Sequence, residues 1–179
     1  ILIGDIFNYK ALAKVIRGSQ IVYNFAALAD LDMAMQKPLI FARTNILGTV
    51  QALNLCRKYK IKRFIHASSI YADSNQGGFY SCSKRASDDY VEEFYKSYKL
   101  NYTILRYGSV YGSRSDKSNG VRKILDKAIW EKKITYMGNS KTVREYINVL
   151  DAARASADIL KKSFKNKCII LTGYKSFKI

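Results

Sequence analysis

Apolar residues in this 179-residue chain fall into short runs, separated by longer stretches in which they recur every three or four positions. The runs IVYNFA (21–26), RFIHAS (63–68), YTILRYG (102–108), ITYMG (134–138) and CIILTG (168–173) are rich in β-branched and aromatic residues and predict strands. The stretches between them predict helices at about 8–17, 38–59, 80–99, 116–132 and 151–162. Pro38 suits the first turn of the second helix, and Ile46, Val50, Leu53 and Leu55 recur along it at roughly helical intervals. Strands alternating with helices predict an α/β fold with a largely parallel sheet. A chain of this length accommodates one domain with a substantial core.

Composition narrows the classes of function. At 48% hydrophobic residues the chain has the make-up of an ordinary globular protein. No apolar run approaches a membrane span, so no membrane partner is expected. The opening ILIGDIFNYK has neither a basic leader nor a cleavage site. Cys56, Cys82 and Cys168 are far apart and the chain has one histidine. Spacing therefore assembles no metal site, and a reduced cytoplasmic setting is expected. The net charge of +17 could serve nucleic acid, yet the lysines are scattered with no dense cluster or basic tail. Attraction for anionic small ligands is expected instead, with no nucleic-acid partner.

Candidate chemistry starts from tyrosine and lysine one helical turn apart. Tyr80/Lys84, Tyr95/Lys99 and Tyr174/Lys178 have that spacing. With 14 tyrosines and 21 lysines, chance alone supplies about one or two such pairs. Their neighbours separate them. GDI at 4–6 follows a strand-like end, and VYNFAALAD at 22–30 runs from a strand into small residues that let a flat ligand lie against the backbone. HASS at 66–69 ends a strand, so Ser68 and Ser69 stand at a carboxyl edge, where open α/β sheets bind ligands. Read alone, the two serines are better taken as a strand-end cap. LRYGSVYG at 105–112 ends the next strand, and KTVREYINVLDAARA at 141–155 sets Arg144 before an apolar stretch and a helix. Tyr80, Lys84 and Asp88 share one face of the 80–99 helix. The carboxylate run Asp88, Asp89, Glu92 and Glu93 reads as a solvated face, and Cys82 as a packing residue with no histidine near it in sequence.

The ordered set Ser69, Tyr80-x-x-x-Lys84, LRYGSVYG and REYINVLDAA resembles the extended short-chain dehydrogenase/reductase family, the NAD-dependent sugar-nucleotide epimerases and dehydratases. The resemblance spans almost the whole chain. It implies a Rossmann-like parallel sheet with flanking helices, NAD as cofactor and a nucleotide sugar as substrate. It further implies a catalytic set of Ser69, Tyr80 and Lys84. Tyr80 would be the general base and Ser69 would hydrogen-bond the reacting sugar hydroxyl. Lys84 would hold the nicotinamide ribose and lower the Tyr80 pKa, since a phenol near 10 is a poor base until a cation stands close. Asp5 and Ile6 fall at the adenine end of the implied cofactor groove, and Phe25, Ala26 and Ala27 along it. Asn45 falls near the nicotinamide, Ser68 also on the cofactor side, and Tyr107 where cofactor and substrate meet. Ser109 matches a substrate contact, and Arg144 an arginine that grips the substrate diphosphate.

The chain departs from the family pattern in ways that shape the expectations. The family's opening strand and G-x-x-G-x-x-G turn, which hold the NAD pyrophosphate at a helix N-terminus, have no counterpart before Ile1. Most of the smaller substrate-binding part has none after Ile179. The expectation is a chain truncated at both ends: one partial NAD(P)-binding domain over 1–179, including the start of the substrate-binding part. It lacks the first βαβ unit, and by itself it should bind no NAD and be inactive. Where the family's dehydratases carry an Asp-Glu pair after the catalytic serine or threonine, this chain has Ile70 and Tyr71. Ala72, Asp73 and Ser74 stand where V-Y-G is common, and the loop to Tyr80 is short. This favours an epimerase acting at C4 of a UDP-sugar over a dehydratase. An NADPH-linked reductase of the same family, or a non-catalytic fragment without cofactor binding, are the alternatives. The family's mode of association implies a two-fold homodimer through helices 38–59 and 80–99. Their Leu47, Leu55, Tyr90, Phe94 and Tyr98 read as apolar surface beyond what one sheet face needs.

Overall fold

The computed structural model describes residues 1–134 and 143–178. In chain order its elements begin with α1 (Tyr9–Ile16), β1 (Ile21–Asn24), α2 (Leu31–Gln36) and α3 (Pro38–Phe41). A π turn over Ala42–Leu47 leads into α4 (Gly48–Lys58), then β2 (Arg63–Ser69), a 3-10 turn (Ile70–Asp73) and α5 (Gly78–Tyr98). Next come β3 (Tyr102–Tyr107), β4 (Ser109–Tyr111), α6 (Gly120–Asp126), β5 (Val143–Asn148), α7 (Val149–Asp158), β6 (Lys167–Leu171) and β7 (Ser176–Lys178). The chain divides into two compact units, Ile1–Arg106 with Ile159–Ile170 and Tyr107–Asp158 with Leu171–Ile179.

The first unit is built on a four-stranded sheet in the order β1-β2-β3-β6. β1 and β2 run parallel, in register from Ile21↔Arg63 to Asn24↔His66. β3 starts beside the start of β2, where Phe64 N–H donates to the Asn101 carbonyl at 2.8 Å. β6 runs alongside β3 in the same sense, with Asn166 N–H on the Tyr102 carbonyl and Gly108 N–H on that of Leu171. β2 is buried on both faces along almost its whole length, as befits an inner strand of a parallel sheet covered by helices. Its buried Arg63 is accommodated because Nε donates to Thr103 Oγ1 at 3.0 Å and Nη1 to the Leu160 carbonyl at 3.1 Å. The main core gathers Ala52, Leu53, Leu55 and Cys56 of α4, Val91 and Phe94 of α5, Phe64 and Ile104.

α5 carries the residues of interest, and its entry depends on two glycines. Gly77 and Gly78 sit at φ +89° and +51°, backbone that L side chains rarely adopt. A Cβ at Gly77 would also lie 3.0 Å from the Tyr71 ring. Together they turn the chain sharply enough for Tyr80 to fall in the first helical turn, packed edge-on against Tyr71 and Phe41 at ring separations of 6.2 and 6.5 Å.

The second unit contains a three-stranded sheet, β4-β5-β7, parallel between β4 and β5 and antiparallel between β5 and β7. These strands were not expected from the sequence; they are short and leave little periodicity to read. α2 is also new, a six-residue helix capped by Asp30, whose Oδ1 accepts from Met33 N–H at 2.8 Å. Apart from Ile134, the expected strand 134–138 lies outside the described residues. Of the five side chains read as surplus surface, Leu47, Tyr90 and Tyr98 are exposed, but Leu55 and Phe94 are core residues. The pattern placed those two on the wrong face because both helices bury a wide stripe.

Candidate active site

Ser68 and Ser69 end β2 at its carboxyl edge, and both are buried. Ser69 also caps the following turn, its Oγ accepting from Tyr71 N–H at 3.2 Å, so the capping and functional readings coexist. The Tyr80 phenol stands close enough to the Ser69 hydroxyl for that group to pull its pKa down. One turn further along α5, Lys84 is 4% exposed, and its Nζ donates to the Ala67 carbonyl at 2.8 Å. The fold therefore brings Ser69, Tyr80 and Lys84 to one edge of the sheet.

Electrostatics modify the expected roles. Burial pushes the Tyr80 phenol up from its ordinary value, against the pull of the Ser69 hydroxyl, with Tyr71 and Asp88 adding to the rise. The lowering expected from Lys84 is not seen in this state, in which the ammonium faces a backbone carbonyl. Burial also lowers Lys84 itself, from 10.5 to about 8, with the Asp88 charge resisting. Between about 8 and 10.5 the unfolded chain keeps this proton and the folded one does not, so folding becomes more favourable as pH rises through that window. Urea unfolding at the two ends should show wild type gaining on Lys84→Met by on the order of 3 kcal/mol. A flat difference would mean that Lys84 is not held in this environment.

The other expected cofactor residues of the first unit are placed as follows. Phe25 and Ala26 are exposed and Ala27 half-buried, directly after β1. They form a shelf of small residues and one ring, stacked on Tyr23, at the carboxyl edge, against which the flat ring of a nucleotide can lie. Asn45 is buried in the π turn, a feature often found at functional sites. Its Oδ1 accepts from Leu28 N–H at 2.8 Å, and its Nδ2 donates to the Leu28 carbonyl at 3.0 Å and to Ser83 Oγ at 2.9 Å. One amide hydrogen is thus spent fixing the segment that follows the shelf, and the other ties the π turn to α5. Asp5 Oδ1 accepts from Phe7 N–H at 2.7 Å, and the Ile6 carbonyl accepts from Gln51 Nε2.

In the second unit, the Tyr107 hydroxyl is 2.6 Å from Ser156 Oγ. Ser109 opens β4 opposite Tyr146, and Arg144 lies half-buried in β5 opposite Phe177. Among the described residues, no three His, Cys, Asp or Glu side chains are grouped as a metal site requires, and no helix is long and apolar enough to cross a membrane.

One cluster is not announced by the sequence. Asp88, expected on a solvated face, is 2% exposed. Its Oδ2 accepts from Arg106 Nε at 3.1 Å, and its Oδ1 lies 3.7 Å from His66 Nε2. Burial raises its carboxyl to about 6; Ser68 beside it and Arg106 pull it back. The signal was present, since Asp88 shares the face of Tyr80 and Lys84, which must pack on β2. Cys82, read as a packing residue, is exposed, because the next position round the helix points outward.

A parallel sheet flanked by helices, with serine, tyrosine and lysine gathered at its carboxyl edge, defines a Rossmann-type α/β domain. The chain belongs to the NAD dependent epimerase/dehydratase family, whose model matches residues 1–171. It is 29% identical to a dTDP-D-glucose 4,6-dehydratase of Dictyostelium discoideum, over 89% of this chain and 43% of that protein. It is 28% identical to a putative UDP-glucose 4-epimerase of Methanocaldococcus jannaschii, over 84% of this chain and 54% of that protein. The chain thus spans about half the length of these curated relatives. A UDP-glucose 4-epimerase of Thermotoga maritima, solved with UDP-glucose, superposes with a TM-score of 0.86 at 25% identity, over 97% of this chain and 62% of that one.

Proposed function

We propose that these residues form the catalytic part of an NAD-dependent epimerase that inverts C4 of a UDP-sugar. The observation that carries the choice of epimerase is the turn after Ser69. It holds Ile70, Tyr71 and Ala72, and its one carboxylate, Asp73, pairs with Arg106 at 3.4 Å. Water loss needs an acid and a base beside the reacting carbons, and this turn offers neither. The choice of C4 and of a uridine diphosphate sugar draws on the similar proteins that are UDP-glucose 4-epimerases by name.

In this reading Ser69 and Tyr80 receive the sugar's 4-hydroxyl between them. As C4 gives up its hydrogen with the electron pair, Tyr80 takes the hydroxyl proton, leaving a 4-ketone. The ketone rotates, and C4 regains its hydrogen on the opposite face while Tyr80 returns the proton. NAD, when bound, supplies the acceptance and return of that hydride. Phe25, Ala26 and Ala27 would line its groove, with Asp5 and Ile6 at the adenine end and Asn45 and Ser68 near the nicotinamide. Lys84 would hold the ribose and bring positive charge to the face Tyr80 shares, which favours the phenolate. Tyr107 and Ser109 would meet the sugar, and Arg144 its diphosphate. The test is incubation of the full-length protein with NAD and either UDP-glucose or UDP-galactose. The same equilibrium mixture should form from both; a dehydrated product, or none in the presence of bound NAD, overturns the assignment.

We also read the exposed Leu39, Leu47, Tyr90 and Tyr98 on the helical 38–58 segment and α5 as the seat of a two-fold homodimer. A dimer is expected by light scattering, and Leu47→Glu with Tyr90→Glu should give a folded monomer. A wild-type monomer rules the interface out.

A further inference from the structure

Behind Lys84 lies a closed set of polar groups of which the proposed chemistry uses only Ser68. Asp88 follows Lys84 by one turn on the same face of α5, so the two charges are neighbours. Its carboxylate is sealed from solvent by β2 and β3, and each strand presents a polar side chain to it. From β3, Arg106 Nε donates to Oδ2 at 3.1 Å, while Arg106 Nη1 reaches Asp73 at 3.4 Å. From β2, the Ser68 hydroxyl and His66 Nε2 face it. From β6, Cys168 lies near Arg106, Asp88 and Glu92, and on α5 itself Tyr80 feels the Asp88 charge. His66 Nδ1 lies 3.4 Å from Asn24 Nδ2, which donates to Thr49 Oγ1 at 3.1 Å. Nδ1 is thus the acceptor, and the imidazole proton sits on Nε2, directed at Asp88. At 3.7 Å this is too long for a hydrogen bond, and Nε2, Oδ1 and the Ser68 hydroxyl oxygen are all buried without a hydrogen-bond partner. A buried charge is kept only where it is paired; Asp88 is paired directly with Arg106, and Lys84, one turn away on the same helix face, feels its charge without touching it.

We propose that Asp88 is the positioning residue for Lys84: its buried carboxylate, clamped by Arg106, is the counter-ion that keeps the Lys84 ammonium charged inside a closed site. Without it, the partner left to the Lys84 charge among the described residues would be the Ala67 carbonyl. A neutral amine there could neither hold a ribose hydroxyl as a cation nor favour the Tyr80 phenolate. His66, kept neutral by burial and by the Lys84 charge beside it, offers the carboxylate a polar neighbour without competing for its negative charge.

The inference rests on the reading of Lys84 as catalytic, yet its test needs no turnover. Lysine carrying carbon-13 at Cε reports the protonation of Lys84 by NMR, with the signal assigned by its loss in Lys84→Arg. In Asp88→Asn the Lys84 midpoint should fall by about one unit or more, the usual effect of removing a close opposite charge, and Asp88→Glu should restore most of it. An unchanged midpoint in folded Asp88→Asn overturns the inference. Should that variant not fold, wild type decides. Its Lys84 signal should show a second, smaller inflection near pH 6, where Asp88 takes a proton, and a single step means that the two are not coupled. Normal turnover in Lys84→Met would instead defeat the catalytic reading and leave the counter-ion result standing.

Discussion

Replacing Tyr80 by phenylalanine should lower turnover of the full-length protein by about 10²–10⁴, the usual worth of a positioned general base. The fold should survive, because the ring is what packs against Phe41 and Tyr71 and phenylalanine keeps it. The hydroxyl lost is the one beside Ser69, so the loss of stability should not exceed that of one hydrogen bond, about 1 kcal/mol. NAD affinity should be nearly unchanged, since the phenol acts on the sugar. Wild-type turnover in a folded Tyr80→Phe protein would remove Tyr80 from the mechanism. A large loss of NAD binding would move it to the cofactor instead.

Lys84→Met should weaken both turnover and cofactor binding, because one cation serves the ribose and the phenol. The two losses can be read separately. Calorimetry gives NAD affinity directly, and turnover at saturating NAD isolates the effect on Tyr80. Methionine matches the length of the lysine stem and needs no counter-ion, so the variant removes a charge whose burial lowers its own pKa to about 8. It leaves Asp88 with Arg106 alone. If neither turnover nor affinity changes, the Tyr80/Lys84 spacing is a coincidence of composition.

The sequence made the frame of the first unit legible because its signals are redundant there. RFIHAS reads as a strand from its apolar run and is buried on both faces. The 80–99 helix announces itself over five turns. Its Gly77-Gly78 entry explains why Tyr80 falls in the first turn, yet that detail needs the positive φ values to be seen. Short elements escaped, such as α2 and the strands of the second unit, because a period cannot be read from three to six residues. Composition misled at Asp88. A run of four carboxylates suggests solvent, but a helix turns by about 100° per residue, so Asp88 faces inward while Asp89 does not. Asn45 was legible as a position but not as a device. Its bonds to Leu28 and Ser83 join a loop, a π turn and a helix that lie far apart in sequence.

The most direct measurement follows one hydrogen. UDP-galactose carrying deuterium at C4 is incubated with NAD and the full-length protein in ordinary water, and the recovered sugars are read by NMR and mass spectrometry. If Tyr80 and Ser69 handle only the hydroxyl proton while the C4 hydrogen leaves and returns as hydride, the UDP-glucose formed keeps its deuterium at C4. Tyr80→Phe should slow its formation by the same factor as overall turnover. UDP-glucose that has exchanged its C4 deuterium for solvent hydrogen, or a product that has lost water, would contradict epimerisation by this site.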